Sequence, residues 1–174
     1  MTATMSATKL VSEKQAYDYI RQKAQEYVDR SVDRNARYVV ARLATALALA
    51  GLPMTTANYF EPAQRGDLVV VHVKRPHSYV HEYVVTPEEA GTIRSLIEEA
   101  KQFYTSRSLV RVLQVETKRF LKYAGIENIT TLDIYAIKLR VLGLGQLLKG
   151  RYTHRRLELV LSYIAQAIEK KPPQ

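Results

Sequence analysis

Apolar residues recur at helical spacing through most of the chain. Ser12 is followed three positions later by Gln15, a capping-box signature for a helix start. Tyr17, Ile20, Ala24, Tyr27, Val28, Val32, Val39, Leu43 and Leu47 then carry the pattern to Ala50, where Gly51 and Pro53 stop it. The apolar direction drifts around the axis, which fits either one long bent helix or two with a break near Ser31–Asn35. A single helix over this stretch exceeds the usual globular length, and reads as an arm that wraps or swaps; the alternative is an ordinary helical hairpin.

Period two replaces this pattern at Leu68–Lys74 and Tyr79–Val85. Both runs are rich in Val and Tyr and bracket Arg75-Pro76-His77-Ser78, which predicts a β-hairpin. Residues 52–67, with Pro53, Pro62 and Gly66, read as a loop. Thr86-Pro87-Glu88-Glu89 opens the next helix, with Ala90, Ile93, Ile97 and Ala100 inward. After a break at 105–108 a further helix runs to Gly125, with Leu109, Val112, Leu113, Phe120 and Leu121 on one face. Thr130 caps a helix through Ile134, Ile137 and Val141, and Thr153 a last one through Leu157, Leu161, Ile164 and Ile168, closed by Pro172-Pro173. The expected fold is mainly α: a flexible tail (1–11), a helical arm (12–51), a loop and β-hairpin (52–85), and a compact helical bundle (86–174).

Charge changes this picture. The 174 residues carry a formal net charge of +9. Residues 1–33 are neutral, 34–60 sum to +3, 61–100 to −3, 101–133 to +3 and 134–174 to +6. The excess flanks a mildly acidic centre, which points to a directed surface for a polyanion. Arg107, Arg111, Gln114, Lys118 and Lys122 fall within roughly 80° of arc on one helix. Lys23, Arg30, Arg34 and Arg37 fall within roughly 60°, if their helix is continuous. Between Asp133 and Glu158 stand Lys138, Arg140, Lys149, Arg151, Arg155 and Arg156, with no carboxylate. A cationic stripe suits a phosphate backbone, because each neutralised phosphate releases counterions. A solvated basic face is the alternative.

Other chemistry is poorly served. There is no cysteine, so disulfides, thiolate metal sites and cysteine nucleophiles are excluded. His72 and His81 fall opposite each other in the expected hairpin register, with His77 in the turn; only Glu82 stands nearby as a third ligand, and it points to the other face, so no metal site is expected. Glu88/Glu89 and Glu98/Glu99 are adjacent on helices and cannot flank one bond. Gly143-Leu144-Gly145 lacks the strand and Lys-Ser/Thr ending of a phosphate loop. No catalytic residue and no cofactor is expected. Tyr38, Tyr104, Tyr123 and Tyr152 lie beside basic residues, either to stack on bases or to sit at a core edge; regular stripes suit a duplex better. No apolar run is long enough to span a membrane.

A small tail, the basic helical stretch Tyr17–Leu47 with Arg30, Arg34, Arg37 and Arg42, and a helical C-terminal part Thr86–Lys171 together resemble the DNA-wrapping capsid or nucleocapsid proteins of filamentous viruses of hyperthermophilic archaea. The resemblance implies dimers that wrap double-stranded DNA, held in an A-like form, between helices without base readout. It implies a virion location, a cytoplasmic one being the alternative, and assembly as a homo-oligomer or with a homologous capsid subunit. The hairpin departs from the simplest all-helical versions. A fainter likeness covers Tyr123-Ala124-Gly125-Ile126, Ile129-Thr130-Thr131-Leu132-Asp133-Ile134 and His154-Arg155-Arg156-Leu157. These are similar to the helical DNA-clamping domain of tyrosine recombinases, which implies DNA contact by Arg155 and Arg156 without strand cleavage. The expected phosphate contacts are therefore Lys23, Arg30, Arg34, Arg37 and Arg42 from the arm, Arg107, Arg111, Lys118 and Lys122 from the central helix, and Arg151, Arg155 and Arg156. A cellular sequence-specific DNA-binding regulator with the hairpin as a wing is the alternative reading, and a protein–protein scaffold with acidic partners a third.

Overall fold

A computed structural model describes residues 10–30, 35–54, 61–65, 68–74, 80–148 and 150–170, with backbone alone for the strands as far as residue 82. The fold is mainly helical. In chain order it has α1 (Glu13–Asp29), α2 (Ala36–Ala50), β1 (Glu61–Arg65), β2 (Leu68–Lys74), β3 (Val80–Val85), α3 (Pro87–Ala100), α4 (Ser106–Ala124), α5 (Thr131–Val141), a short 3-10 turn at Gly145–Leu148, and α6 (His154–Glu169).

The caps expected from the sequence organise the helix starts. Ser12 with Gln15, Thr86 with Glu89 and Thr130 with Asp133 form reciprocal capping boxes, and Thr105 and Thr153 accept single N–H bonds. Each satisfies donors that a helix start leaves without a partner.

The stretch expected as an arm is two helices, and both belong to the body. α2 is apolar nearly all round, and Val39, Val40, Ala41, Leu43, Ala44, Leu47, Ala48 and Ala50 are buried. A helix apolar on every side is stable only inside. One side of α2 packs Leu43 and Leu47 against Ile93 and Ile97 of α3 and Leu109 and Leu113 of α4. On the other side Ala48 joins Ile20 of α1, Phe120 of α4, Ile134 of α5 and Ile164 of α6 in a second cluster. The α2 stop is exacting. Gly51 has φ +77°, and a Cβ there would lie 2.4 Å from the Tyr135 Cβ, so any side chain would collide with α5. The tail up to residue 9 and the stretch 31–34 between the helices lie outside the described residues.

The sheet has three antiparallel strands in the order β1-β2-β3. β1 falls in the stretch expected as loop; its sequence, Glu61-Pro62-Ala63-Gln64-Arg65, has no β-formers, and Pro is tolerated because the strand lies at the sheet edge. The register pairs Arg65 with Leu68, leaving Gly66-Asp67 between the strands. It also pairs His72 with Glu82 and Val73 with His81, a slip of one position from the expected hairpin. Lys74 pairs with Val80, so five residues separate the strand ends, and the two histidines are not partners.

β3 is the other edge, and α5 holds it. The Val84 N–H donates to the Tyr135 hydroxyl at 3.0 Å, and the Val84 carbonyl accepts from Lys138 Nζ at 2.8 Å. Backbone groups that an edge strand leaves open are satisfied by side chains of the bundle.

Candidate nucleic-acid interface

α4 is strongly two-sided. Leu109, Leu113, Phe120, Leu121 and Ala124 are buried, while Arg107, Arg111, Gln114, Lys118 and Lys122 are all exposed. The helix needs this partition: its apolar residues recur every three or four positions, and the cations occupy what remains. Among the described residues none of these four cations pairs with a carboxylate. At 1.5 Å per residue the row from Arg107 to Lys122 is about 22 Å long.

The flank of α4 facing α1 carries a buried acid. Glu116 is 3% exposed. Its carboxylate accepts from the Tyr27 hydroxyl at 2.5 Å, with Arg119 at 3.5 Å and Arg37 at 3.9 Å. Burial first, then the Glu116 carboxylate, pushes the Tyr27 hydroxyl up to about 12, so it remains a donor. This cluster joins α1, α2 and α4 at one point. It also holds two guanidinium groups at the surface, since the Arg37 and Arg119 side chains stay 54% and 56% exposed.

Beyond it lies Tyr123, with Arg30 5.4 Å and Lys23 5.8 Å from its ring centre. The Tyr123 hydroxyl donates to Glu26 Oε1 at 3.1 Å, and Lys23 lies 3.1 Å from the same oxygen. Lys23, and then Tyr123 after the opposing effect of burial, hold the Glu26 carboxyl below the usual carboxylate range. Around the α4 axis the order is thus Arg107, Lys118, Arg111, Lys122, Arg119, then Tyr123 and Glu116 with Arg30 and Arg37 against them. Lys23 and Arg30 at Tyr123, and Arg37 and Arg119 at Glu116, thus flank the row on the α1 side, with the exposed Val115 and the Glu26 carboxylate among them.

Several other expected contacts are elsewhere. The break between α1 and α2 removes the single 60° stripe, and Arg34 lies outside the described residues. Arg42 is turned away from Arg37. It lies over the Tyr38 ring at 5.4 Å and 3.7 Å from Glu99 of α3.

In the C-terminal segment much of the charge is used internally. Arg156 meets the buried Asp133 through Nε at 3.1 Å and Nη2 at 2.9 Å, and Nη2 also donates to the Asn128 carbonyl at 3.2 Å. The Tyr152 hydroxyl donates to Asp133 Oδ1 at 2.5 Å. Burial pushes the Asp133 carboxyl up, but Arg156, Tyr152 and the Thr130 backbone N–H together hold it below the usual carboxylate range. Arg156, expected to contact phosphate, is therefore committed to the N-terminus of α5.

Lys138 is 3% exposed and donates to the Ala50 carbonyl at 2.8 Å, the Val84 carbonyl at 2.8 Å and Glu89 Oε1 at 3.3 Å. Burial lowers the pKa of its ammonium, with Glu89 opposing. Arg140 lies 3.4 Å from Glu13. Of the C-terminal cations named as contacts, Arg151 and Arg155 remain exposed without an ion pair among the described residues.

The tyrosines stand mostly at core edges. Tyr152 and Tyr123 are tied to carboxylates, and Tyr104 packs against the α2–α3 cluster. The cation that sequence reasoning missed is Arg119. It lies outside the narrow stripe and next to an acid at i−3, so it reads as a local ion pair; only the burial of Glu116 ties it to Arg37.

Among the described residues no three His, Cys, Asp or Glu side chains converge as a metal cluster, and no helix is long and apolar enough to cross a membrane. No protein-family model, no curated protein and no solved structure matches this chain.

Proposed function

We propose that this chain is a non-enzymatic protein that binds double-stranded DNA through the outer face of α4, with little regard to sequence, and coats it as an oligomer. One observation carries the reading: Arg107, Arg111, Lys118 and Lys122 are exposed in a row without carboxylate partners among the described residues. Measured along the axis of a duplex, about 22 Å spans about six phosphates of one strand at about 3.4 Å each. Arg119, Arg37 and Arg30 widen the contact beside that row, and Arg151 and Arg155 add a second point.

Such a surface reads charge and backbone shape. The exposed polar neighbours Ser106 and Gln114 add uncharged phosphate contacts. A virion capsid or nucleocapsid protein is the setting in which backbone-only binding and assembly go together, as the sequence resemblance implies.

The test is binding to several unrelated duplexes across a salt series, with electron microscopy of the same mixtures. Affinity that falls steeply with salt, equal among sequences and accompanied by regular filaments, is the expected result. One duplex preferred by ~10³-fold or more, without filaments, would favour the regulator. Failure to bind at low salt would overturn the nucleic-acid reading.

A further inference from the structure

On the side of the bundle lined by α1, α2, α3 and α5 there is a cavity of about 400 Å³. That is within the range of small-molecule sites, about 300–1,000 Å³. One wall is aliphatic, formed by Leu49, Ile93, Val141 and Leu142. Val141 and Leu142 are 39% and 41% exposed, so an apolar body in the cavity would take their surface out of water.

The polar side is bipolar. Glu89 uses Oε1 for the Thr86 N–H at 2.8 Å and for Lys138 at 3.3 Å; among the described residues its Oε2 has no hydrogen-bond donor. Its neighbour Glu88 also lines the cavity and carries no ion pair among the described residues. Arg21 of α1 lines the same cavity; it lies 5.1 Å from the Tyr17 ring centre and only loosely, at 3.8 Å, from Asp18. The Tyr17 hydroxyl, also in the lining, donates to the Leu49 carbonyl at 2.7 Å. Burial first, then the Glu89 charge, raises its pKa, while Arg21 lowers it.

We propose that this cavity binds a small zwitterion with an aliphatic side chain, an apolar α-amino acid: the ammonium meets Glu89 Oε2 and Glu88, the carboxylate meets Arg21, and the side chain covers Leu49, Ile93, Val141 and Leu142. Charge complementarity chooses this class. A plain amine leaves the Arg21 guanidinium without an anion, a plain carboxylate faces Glu88 and Glu89, and a hydrocarbon uses neither; Lys138, the other cation of the lining, is already taken up by Glu89 Oε1 and two backbone carbonyls. The site is separate from the α4 surface and does not depend on DNA binding.

The experiment is calorimetric titration of the full chain with leucine, isoamylamine and isocaproate, the last two lacking its carboxylate and its ammonium. Leucine should bind at least ~10-fold more tightly than either analogue, the scale of one charged hydrogen bond. Arg21→Gln should remove the advantage of leucine over isoamylamine, and Glu88→Gln should reduce that over isocaproate. Thr92→Phe, at an exposed cavity-lining position, should block all three while far-ultraviolet circular dichroism stays unchanged. No leucine binding by folded protein, equal binding of leucine and isoamylamine, or a leucine affinity indifferent to Arg21→Gln or Thr92→Phe would each overturn the proposal.

Discussion

The α4 row and the segment 134–156 look alike in sequence, each a run of cations with few acids, yet the fold leaves the first exposed and takes up Lys138, Arg140 and Arg156 of the second, only Arg151 and Arg155 staying exposed without an ion pair among the described residues. On α4 the cations face outward, and the one acid within the run, Glu116, is drawn inside with Tyr27, Arg37 and Arg119 around it. In the second segment partners arrive from far along the chain: Glu89 and two carbonyls for Lys138, Glu13 for Arg140, and Asp133, in the first turn of α5, for Arg156. Local charge density therefore says little about free charge. What decides is whether a position falls on a buried face, where a cation must find acceptors, or on an exposed one, where it need not.

The largest effect should come from Lys138→Met. It leaves the Ala50 and Val84 carbonyls without the ammonium that joins the end of α2 to the edge of β3, and takes the buried cation from Glu89. A loss of about 3–5 kcal/mol is expected in urea unfolding; a loss under about 1 kcal/mol would break the contrast on its buried side. Asp133→Asn should follow, at about 2–3 kcal/mol near neutral pH, because Arg156 loses its carboxylate. The sign of its pH dependence is fixed. The folded Asp133 carboxyl lies below its ordinary value, so its contribution is full above about pH 4 and fades as pH falls through the folded value. The stability gap between the wild type and Asp133→Asn should close on acidification; a gap that widens would contradict the assigned pairing. Least of all, changing Arg107, Arg111, Lys118 and Lys122 together to Gln should leave the melting temperature within about 2 °C of the wild type, since none holds a structural partner among the described residues. A collapse of the fold in that variant would show that the row is structural.

Much of the fold is legible in the sequence where the interaction is local. Ser12, Thr86, Thr130 and Thr153 cap the helices that their spacing predicts, and Gly51 and Gly125 end theirs in left-handed backbone. The outward turn of the α4 row follows from spacing alone. Long-range features are not legible. The drifting apolar face of residues 12–50 reflects two helices buried on different sides, and the near-uniform apolar character of Ala36–Ala50 is the sign that it lies inside. β1 has no strand pattern, and is held by pairing with β2. The hairpin register turns on one extra residue in a five-residue connection. At the interface the fates of Arg156, Lys138 and Arg42 depend on Asp133, on the Ala50 and Val84 carbonyls, and on Glu99, none recognisable as a partner from spacing except where helix contacts bring them together.

If the α4 row, and not basic charge in general, meets the nucleic acid, salt dependence should single it out. The quantity to measure is the slope of log affinity against log salt on one random-sequence duplex. Three proteins are compared: the wild type, the variant with four α4 cations changed to Gln, and an Arg151→Gln/Arg155→Gln double variant. Each phosphate left without its cation should lower the slope by about 0.9, so the α4 variant should lose about 3–4 units and the double variant at most about 2. Equal slopes for the wild type and the α4 variant would contradict a role for that row in binding.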